Sequence, residues 1–230
     1  MKWFLIGCTL FNVSNSQAQT PIWDWAVSIG GPGNEYCYSL ASDVAGNIYA
    51  TGYFAGNLDF DPGPAANYMN AGQSTGIYLA KFDNNGSLLW VRGIMGPGYK
   101  AGGHVVIDVY DNVYLCGIFS GYLAFETGSS PFGLTSPGIT AAYVSKFTST
   151  GSFVWAKTVG GSDHANGATM AIGGSGTGSV YLAGNFSGVV DFDPDTTVVE
   201  MTAAGISDTY IMKLDTSGSF IWARSIGGTD

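Results

Sequence analysis

One long and nearly constant period runs through the chain and constrains its fold more than any other feature. Four tryptophans mark this period at almost equal spacing: Trp25, Trp90, Trp155 and Trp222. Other columns keep the same register: Tyr49, Tyr114 and Tyr181; Gly52, Gly117 and Gly184; Phe54, Phe119 and Phe186; Lys81, Lys146 and Lys213. Such a period is typical of repeat proteins, in which each repeat is one supersecondary unit that stacks on its neighbours.

Each repeat contains two predicted β-hairpins. In the first repeat, an Asp/Gly/Asn turn at Asp43–Asn47 precedes a run of β-forming residues that ends at Gly52. The second hairpin extends from Ile77, through a turn at Gly86, to Trp90. Two hairpins predict four antiparallel strands, and strands that are apolar on both faces suit sheets stacked face to face, as in propeller blades.

The expected fold is therefore all-β, a β-propeller-like array of four-stranded antiparallel blades with three full repeats and the start of a fourth. The predicted segments are a signal peptide at 1–20, blades at 21–90, 91–155 and 156–222, and the start of a further repeat at 223–230. Closed propellers need about four to eight blades. We therefore expect an open or incomplete ring, a fragment of a longer protein, or self-association through the end blades.

Charge excludes one class of partner. The formal net charge is −9, with 8 Lys and Arg against 17 Asp and Glu, so phosphate backbones and anionic lipid surfaces would be repelled. Nucleic acid is not an expected partner.

The N-terminal segment 1–20 has the pattern of a secretory signal. Lys2 precedes an apolar run from Trp3 to Phe11, and the segment becomes small and polar around Ala18. That run is shorter than the ~20 residues that span a bilayer, so no membrane span is expected. The Gly-Cys step at Cys8 resembles a lipoprotein processing site, although few apolar residues precede it.

The repeat also resembles a known family. The order W-A-x-x-x-G-G, D-x-x-G-N-I-Y-x-T-G-x-F and Y-x-A-K-F-D-x-x-G-x-x-x-W, over residues 23–230, is similar to the bacterial β-propeller repeat called SBBP. The second repeat departs most, with Met95-Gly96 in place of Gly-Gly and Leu123-Ala-Phe-Glu126 in place of Leu58-Asp-Phe-Asp61. This resemblance implies a secreted or cell-surface protein, often delivered by type IX secretion, in a family without a general assigned activity.

A weak calcium site is predicted in the variable insertions between the two hairpins, at 56–75, 121–140 and 188–207. Two insertions begin Asp-Phe-Asp-Pro, and the candidate ligands are Asp59, Asp61, Asp191, Asp193 and Asp195. Alternating carboxylates can supply oxygen ligands for Ca²⁺, although the pattern lacks the glycine and glutamate of an EF-hand loop. Acidic residues that stabilise a turn are the simpler interpretation. No other cofactor is expected.

Catalytic patterns are sparse. The two histidines, His104 and His164, lie in non-equivalent glycine-rich segments, and only Ser162 and Asp163 beside His164 resemble a catalytic triad. Glycoside hydrolysis by paired rim carboxylates remains an alternative, with Asp59, Asp61, Glu126, Asp191 and Asp193 as candidates.

Simple structural roles are favoured for the other distinctive residues. Cys116 replaces Thr51 of the first repeat within an apolar strand, which indicates a small buried thiol, and no disulfide with Cys37 is expected. The repeated aromatic residues indicate packing between blades. The repeated lysines indicate a solvated strand edge rather than a catalytic amine.

The sequence favours a non-catalytic extracellular scaffold or binding module that contacts a glycan or a protein through rim loops. The alternatives are a glycan-active hydrolase and a spacer with no activity of its own.

Overall fold

A computed structural model describes residues 25–126, 131–173 and 178–229, and every regular element in these ranges is a β-strand. The all-β prediction is confirmed. The sixteen strands are β1 (Glu35–Ser42), β2 (Ile48–Asp59), β3 (Tyr68–Phe82), β4 (Leu88–Ile94), β5 (Lys100–Ile107), β6 (Val113–Phe119), β7 (Tyr122–Glu126), β8 (Phe132–Thr135), β9 (Ala141–Phe147), β10 (Phe153–Gly161), β11 (Thr169–Gly173), β12 (Ser179–Phe186), β13 (Val189–Asp191), β14 (Glu200–Thr202), β15 (Asp208–Leu214) and β16 (Phe220–Ile226).

Three antiparallel meanders repeat along the chain, and we call them units 1, 2 and 3. Unit 1 is a sheet of order β1-β2-β3-β4, and unit 3 is a sheet of order β11-β12-β15-β16. Unit 2 has the order β5-β6-β9-β10, and its sheet is extended to six strands by β13 and β14 of the next repeat. Strands β7 and β8 form a separate hairpin.

The first turn of units 1 and 2 is closed by an aspartate. In unit 1, Asp43 Oδ1 accepts a hydrogen bond from the backbone N–H of Asn47 at 2.9 Å, and Asp43 Oδ2 accepts one from Asn47 Nδ2 at 2.7 Å. Asp108 and Asn112 make the same two bonds in unit 2, each at 2.9 Å. The Asp and Asn types that signalled a turn therefore supply its hydrogen bonds.

The variable insertions form hairpins that reach the preceding repeat. In unit 1, the insertion continues the β2–β3 ladder as far as the pair Asp59↔Tyr68. The insertions of units 2 and 3 form the hairpins β7–β8 and β13–β14. Each insertion pairs with the segment just before its own unit, through the isolated bridges Gly30↔Asp59 and Met95↔Ala124 in units 1 and 2. In unit 3 the pairing is with β10, at Gly160↔Asp191.

Apolar clusters fill the space between consecutive units. Tyr49, Leu79 and Ile94 of unit 1 share a cluster with Val105 and Leu115 of unit 2. A second cluster joins units 2 and 3, and a third covers the other face of unit 1, where Ile29 packs against it. We call that face, which carries Ala50, Phe54, Leu58, Tyr78 and Phe82, the outer face of unit 1.

The tryptophan column joins each repeat to the next. The indole Nε1 of Trp25 donates to the backbone oxygen of Asn84 at 2.8 Å, and Trp90 and Trp155 make the equivalent bonds to Ser149 and Thr216. The packing role predicted for these aromatic residues is confirmed, and a hydrogen bond between repeats accompanies it.

The predicted signal peptide and Cys8 lie outside the described residues. Within the described ranges, no helix is long and apolar enough to cross a membrane.

Candidate functional site

Four tyrosines form an exposed cluster at the seam between units 1 and 2, and we call it the tyrosine cluster: Tyr36, Tyr38, Tyr53 and Tyr99. The ring centroids of Tyr36 and Tyr53 are 4.9 Å apart with planes at 26°, and those of Tyr36 and Tyr38 are 6.4 Å apart at 18°. Tyr36, Tyr38 and Tyr99 are 53%, 48% and 59% exposed. An exposed group of large amphipathic rings is typical of a recognition surface.

Local backbone geometry positions the cluster. Tyr36 lies directly opposite Tyr53 on the neighbouring strand, and a β-bulge between Cys37 and Ser39 changes the register beside Tyr38. Tyr36 and Tyr38 are two residues apart on β1, so the alternation of side chains along a strand places them on the same face. Tyr99 approaches the same surface from the segment before β5.

The repeat itself does not require these tyrosines. The positions equivalent to Tyr36 are Ala101 and Asn166, and those equivalent to Tyr53 are Ile118 and Asn185. In contrast, the buried column of Tyr78, Tyr143 and Tyr210 keeps its residue type in every unit. Packing therefore explains the repeated aromatic residues but not the tyrosine cluster.

The hydroxyls of Tyr38 and Tyr53 stay neutral over the physiological range. Partial burial, together with neighbouring Tyr99 and Tyr36, raises the pKa of Tyr38. Burial and neighbouring Tyr36 and Tyr38 raise the pKa of Tyr53 in the same way. The cluster thus presents ring faces with hydroxyl groups that both donate and accept hydrogen bonds.

The aspartates proposed as calcium ligands lie in hairpin turns. Asp59 Oδ1 accepts backbone N–H groups from Asp61 at 3.1 Å and Asn67 at 2.8 Å. Asp191 Oδ1 accepts those of Asp193 at 3.1 Å and Val199 at 2.9 Å. The first aspartate of each pair therefore stabilises the turn in which it lies.

The second aspartates are engaged as well. Asp61 Oδ1 accepts from the backbone of Gly63, and Asp193 Oδ1 accepts from that of Asp195. Asp195 itself forms an ion pair at 2.5 Å with Lys157 of unit 2. Over the three described ranges, no group of three or more His, Cys, Asp or Glu residues is arranged to hold a metal ion. The calcium site stays a prediction, and the observed hydrogen bonds match the turn interpretation.

The triad-like segment is brought together only in part. His164 Nε2 lies 3.6 Å from Asp163 Oδ1. The hydroxyl that His164 contacts is that of Thr140, 3.1 Å from Nδ1, and not the hydroxyl of Ser162. The His164 and Asp163 side chains are 54% and 41% exposed. A protonatable pair this open to water lacks the desolvation that activates a nucleophile.

The other histidine and Glu126 lie elsewhere. His104 Nδ1 lies 2.8 Å from the backbone oxygen of Met170, across the seam between units 2 and 3. Glu126 is the last residue of β7, paired with Phe132.

Within the described ranges, Cys37 and Cys116 are free cysteines. Cys116 is fully buried, and burial raises the pKa of its thiol to about 12. Cys37 is exposed on β1.

The lysine column departs from the prediction of a solvated edge in unit 1. Lys81 is only 8% exposed, lies 3.3 Å from Asp43 Oδ2, and sits 4.7 Å from the centroid of the Tyr49 ring. Burial opposes charge on Asp43, but hydrogen bonds from Asn47 and Lys81 outweigh it and lower the pKa of that carboxyl. Lys81 is therefore a buried structural cation. The sequence predicts Asp43 as a turn residue and does not predict its ion pair with Lys81.

Neither a protein-family model nor a curated protein matches this chain.

The tyrosine cluster was not among the predicted site residues. A signal for it exists in the sequence, because Tyr36, Tyr53 and Tyr99 are aromatic at column positions where the other repeats are not. The exposure and ring geometry of the cluster could not be read from the sequence, because Tyr53 joins it from the neighbouring strand and Tyr99 from another repeat.

Proposed function

We propose that this chain is a non-catalytic extracellular binding module that holds a neutral glycan on the tyrosine cluster. The observation that carries the proposal is an aromatic surface at positions where the fold needs no aromatic residue: Tyr36 stacks on Tyr38 and on half-buried Tyr53. Exposed Tyr99 lies beside these rings. The apolar C–H face of a pyranose ring stacks on such rings, and neutral hydroxyls can bond the sugar hydroxyls.

The wider setting of the proposal is a propeller-type array of the SBBP kind. Its support is the tryptophan-marked period of the sequence, the three stacked four-stranded meanders, and the tryptophan contacts between consecutive repeats. On this account the repeats act as blades, the segment 1–20 directs secretion, and the cluster lies at a blade seam on the rim.

Neutral sugars fit the cluster better than anionic ones. The chain has only two arginines, Arg92 and Arg224, and a net charge of −9. Recognition of anionic sugars usually depends on arginine, which pairs with carboxylate and sulfate groups in a bidentate way.

A glycan array tests the proposal with a matched pair of variants. We expect the wild-type chain to bind a set of neutral oligosaccharides, and Tyr36→Ala/Tyr38→Ala to lose that binding. Tyr110→Ala, which removes a tyrosine that is 72% exposed outside the cluster, should bind like the wild type. Equal binding by all three chains, or binding by none, would contradict the proposal.

A reducing-sugar assay on the same oligosaccharides separates binding from hydrolysis. Turnover by the wild-type chain would replace the binding proposal with the hydrolase alternative.

A further inference from the structure

The two end faces of the array carry the same residue columns as the faces buried between units. Leu40 of unit 1 is 64% exposed, whereas its equivalents Val105 and Met170 are 1% and 3% exposed because the preceding unit covers them. On the other side, Ile226 of unit 3 is 61% exposed, whereas its equivalents Ile94 and Val159 are fully buried. The end face of unit 3 therefore has the composition of an interface and lacks a partner within the described residues, whereas residues 25–30 cover the outer face of unit 1 only in part.

Strand β16 has almost the sequence of the segment that precedes unit 1. Residues 25–31 read W-A-V-S-I-G-G, and residues 222–228 read W-A-R-S-I-G-G. Residues 25–30 occupy, on the outer face of unit 1, the position that β4 occupies on unit 2 and β10 on unit 3. Trp25 bonds to Asn84 as Trp90 bonds to Ser149. The two segments are thus equivalent in sequence and in the position they can fill.

Side-chain sizes at the end faces are complementary. At the seam between units 1 and 2, a Cβ on Gly102 would lie 3.0 Å from Thr51 Oγ1. At the next seam, the sulfur of Cys116 lies 3.8 Å from the oxygen of Gly167. A glycine therefore faces a larger residue at both internal seams.

At the end faces the larger and the smaller residue of this contact lie on the opposite sides. The equivalent of Gly102 and Gly167 on unit 1 is Cys37, and the equivalent of Thr51 and Cys116 on unit 3 is Ala183. A larger residue at 37 would meet a smaller one at 183, so the total volume at the contact is kept.

Charges at the end faces are also complementary. The column two residues after the repeated tryptophan is basic at the internal seams. There, Arg92 Nε donates to the backbone oxygen of Gly151 at 2.8 Å, and Lys157 pairs with Asp195. Its equivalent Arg224 lies exposed on unit 3, while Val27 takes that position beside unit 1. Val27 lines an open cavity of about 350 Å³ together with Asp61 and Gly86. An arginine in place of Val27 would reach both a carboxylate and a backbone oxygen.

We propose that a second copy of this chain covers the outer face of unit 1 with the exposed face of its unit 3. Its β16 then takes the place of residues 25–30. Residues 25–30 are the less firmly held of the two segments, because one backbone bridge, Gly30↔Asp59, joins them to unit 1. Strand β16 is held in its own sheet by a ladder with β15 that extends from Thr209↔Ile226 to Leu214↔Phe220.

Two copies joined in this way form a closed dimer. Both contacts are the same head-to-tail interface, and the pair contains six four-stranded units, within the range of closed propellers. The tyrosine cluster remains accessible, because Tyr36 and Tyr53 lie on the opposite face of unit 1 from Cys37 and Leu40.

Cysteine cross-linking tests the contact directly. We expect Ala183→Cys to form a disulfide with Cys37 of a second copy under mild oxidation and to migrate as a dimer without reductant. Cys37→Ser/Ala183→Cys should remain monomeric on the same gel. Buried Cys116 does not compete, because its thiol stays protonated and covered. Val44→Cys, at a fully exposed turn position, is the control for random collision. Cross-linking of Ala183→Cys no faster than this control would overturn the proposal.

Sedimentation velocity on chains without added cysteines gives a second test. We expect a dimer for the wild type and, for Arg224→Glu, dimerisation weakened by roughly tenfold through charge repulsion. The double variant Arg224→Glu/Asp61→Arg should recover the dimer, which a merely misfolded chain would not do. A wild-type monomer at micromolar concentration would overturn the proposal, and a ladder of larger species would overturn the two-copy closure.

Discussion

At the scale of single residues, equivalent positions in the three units differ in how their hydrogen bonds are satisfied. Tyr143 and Tyr210 occupy the same column and are both fully buried. The hydroxyl of Tyr210 donates to the backbone oxygen of Asn166 at 2.7 Å, whereas that of Tyr143 has no partner among the described residues. A buried hydroxyl without a partner costs stability, because it gives up hydrogen bonds to water.

This difference predicts opposite outcomes for one substitution. Tyr210→Phe should lower the free energy of unfolding by about 1–2 kcal/mol, since it leaves the half-buried carbonyl of Asn166 without this hydrogen bond. Tyr143→Phe should leave stability unchanged or raise it by up to about 1 kcal/mol, because it removes an unsatisfied group. Urea denaturation at neutral pH measures both values, and an equal loss in the two variants would refute the hydrogen-bond assignment.

Some roles of single residues can be predicted from the sequence and others cannot. The Asp43–Asn47 turn, the buried Cys116 and the packing role of the tryptophans follow from residue type and spacing. The burial of Lys81 does not, because its partner Asp43 is brought to it by the fold rather than by proximity in the chain.

At the scale of elements, Trp25, Trp90 and Trp155 each lie against a glycine in a turn of the following unit, and these glycines are Gly86, Gly151 and Gly218. Gly151 has φ +78°, and a Cβ there would lie 3.0 Å from two atoms of the Trp90 ring. Gly56 has a similar φ of +69°, with nothing within 4 Å of a Cβ. These two positions separate backbone strain from the contact between units.

We therefore expect Gly56→Ala to destabilise the chain by about 1–2 kcal/mol, the cost of a left-handed backbone for a residue with a Cβ. Gly151→Ala should cost about 1–3 kcal/mol more, because it also displaces the indole of Trp90. Thermal and urea unfolding of the two variants provide the comparison. Equal losses would mean that the tryptophan contact contributes nothing to the junction between units.

The insertion hairpins lead to a second prediction at this scale. Asp191→Ala removes the oxygen that accepts the backbone N–H groups of Asp193 and Val199, and it should cost about 1–2 kcal/mol. Asp191→Asn keeps a carbonyl oxygen at that place and should be nearly neutral. Calcium should leave the melting temperature of all three chains unchanged. A rise of the wild-type melting temperature in millimolar Ca²⁺ that Asp191→Asn abolishes would instead establish the predicted calcium site.

The sequence predicts the strands but not all of the pairings between them. The two hairpins per repeat followed from turn residues and β-forming runs. The pairing of β13 with β10 did not, because β13 lies in an insertion whose composition suggests a loop, and its partner belongs to the previous repeat. Short pairings between repeats carry little local signal.

At the scale of the whole molecule, repeated and unrepeated residues have separate roles. The columns that recur in every unit fill the clusters between sheets and join consecutive units. The tyrosine cluster interrupts these columns on an exposed seam, and this contrast supports a recognition role. The proposed binding function therefore places the ligand on the tyrosine cluster rather than on the acidic turns.

Ring ¹³C resonances of a tyrosine-labelled chain test that claim most directly. The titrants are cellopentaose, xylopentaose, mannopentaose and chitopentaose, each added to millimolar concentration. We expect at least one of these sugars to shift the ring signals of Tyr36, Tyr38, Tyr53 and Tyr99, while those of buried Tyr143 and Tyr210 stay in place. Unchanged signals from the cluster with all four sugars, or shifts confined to tyrosines elsewhere, would contradict it.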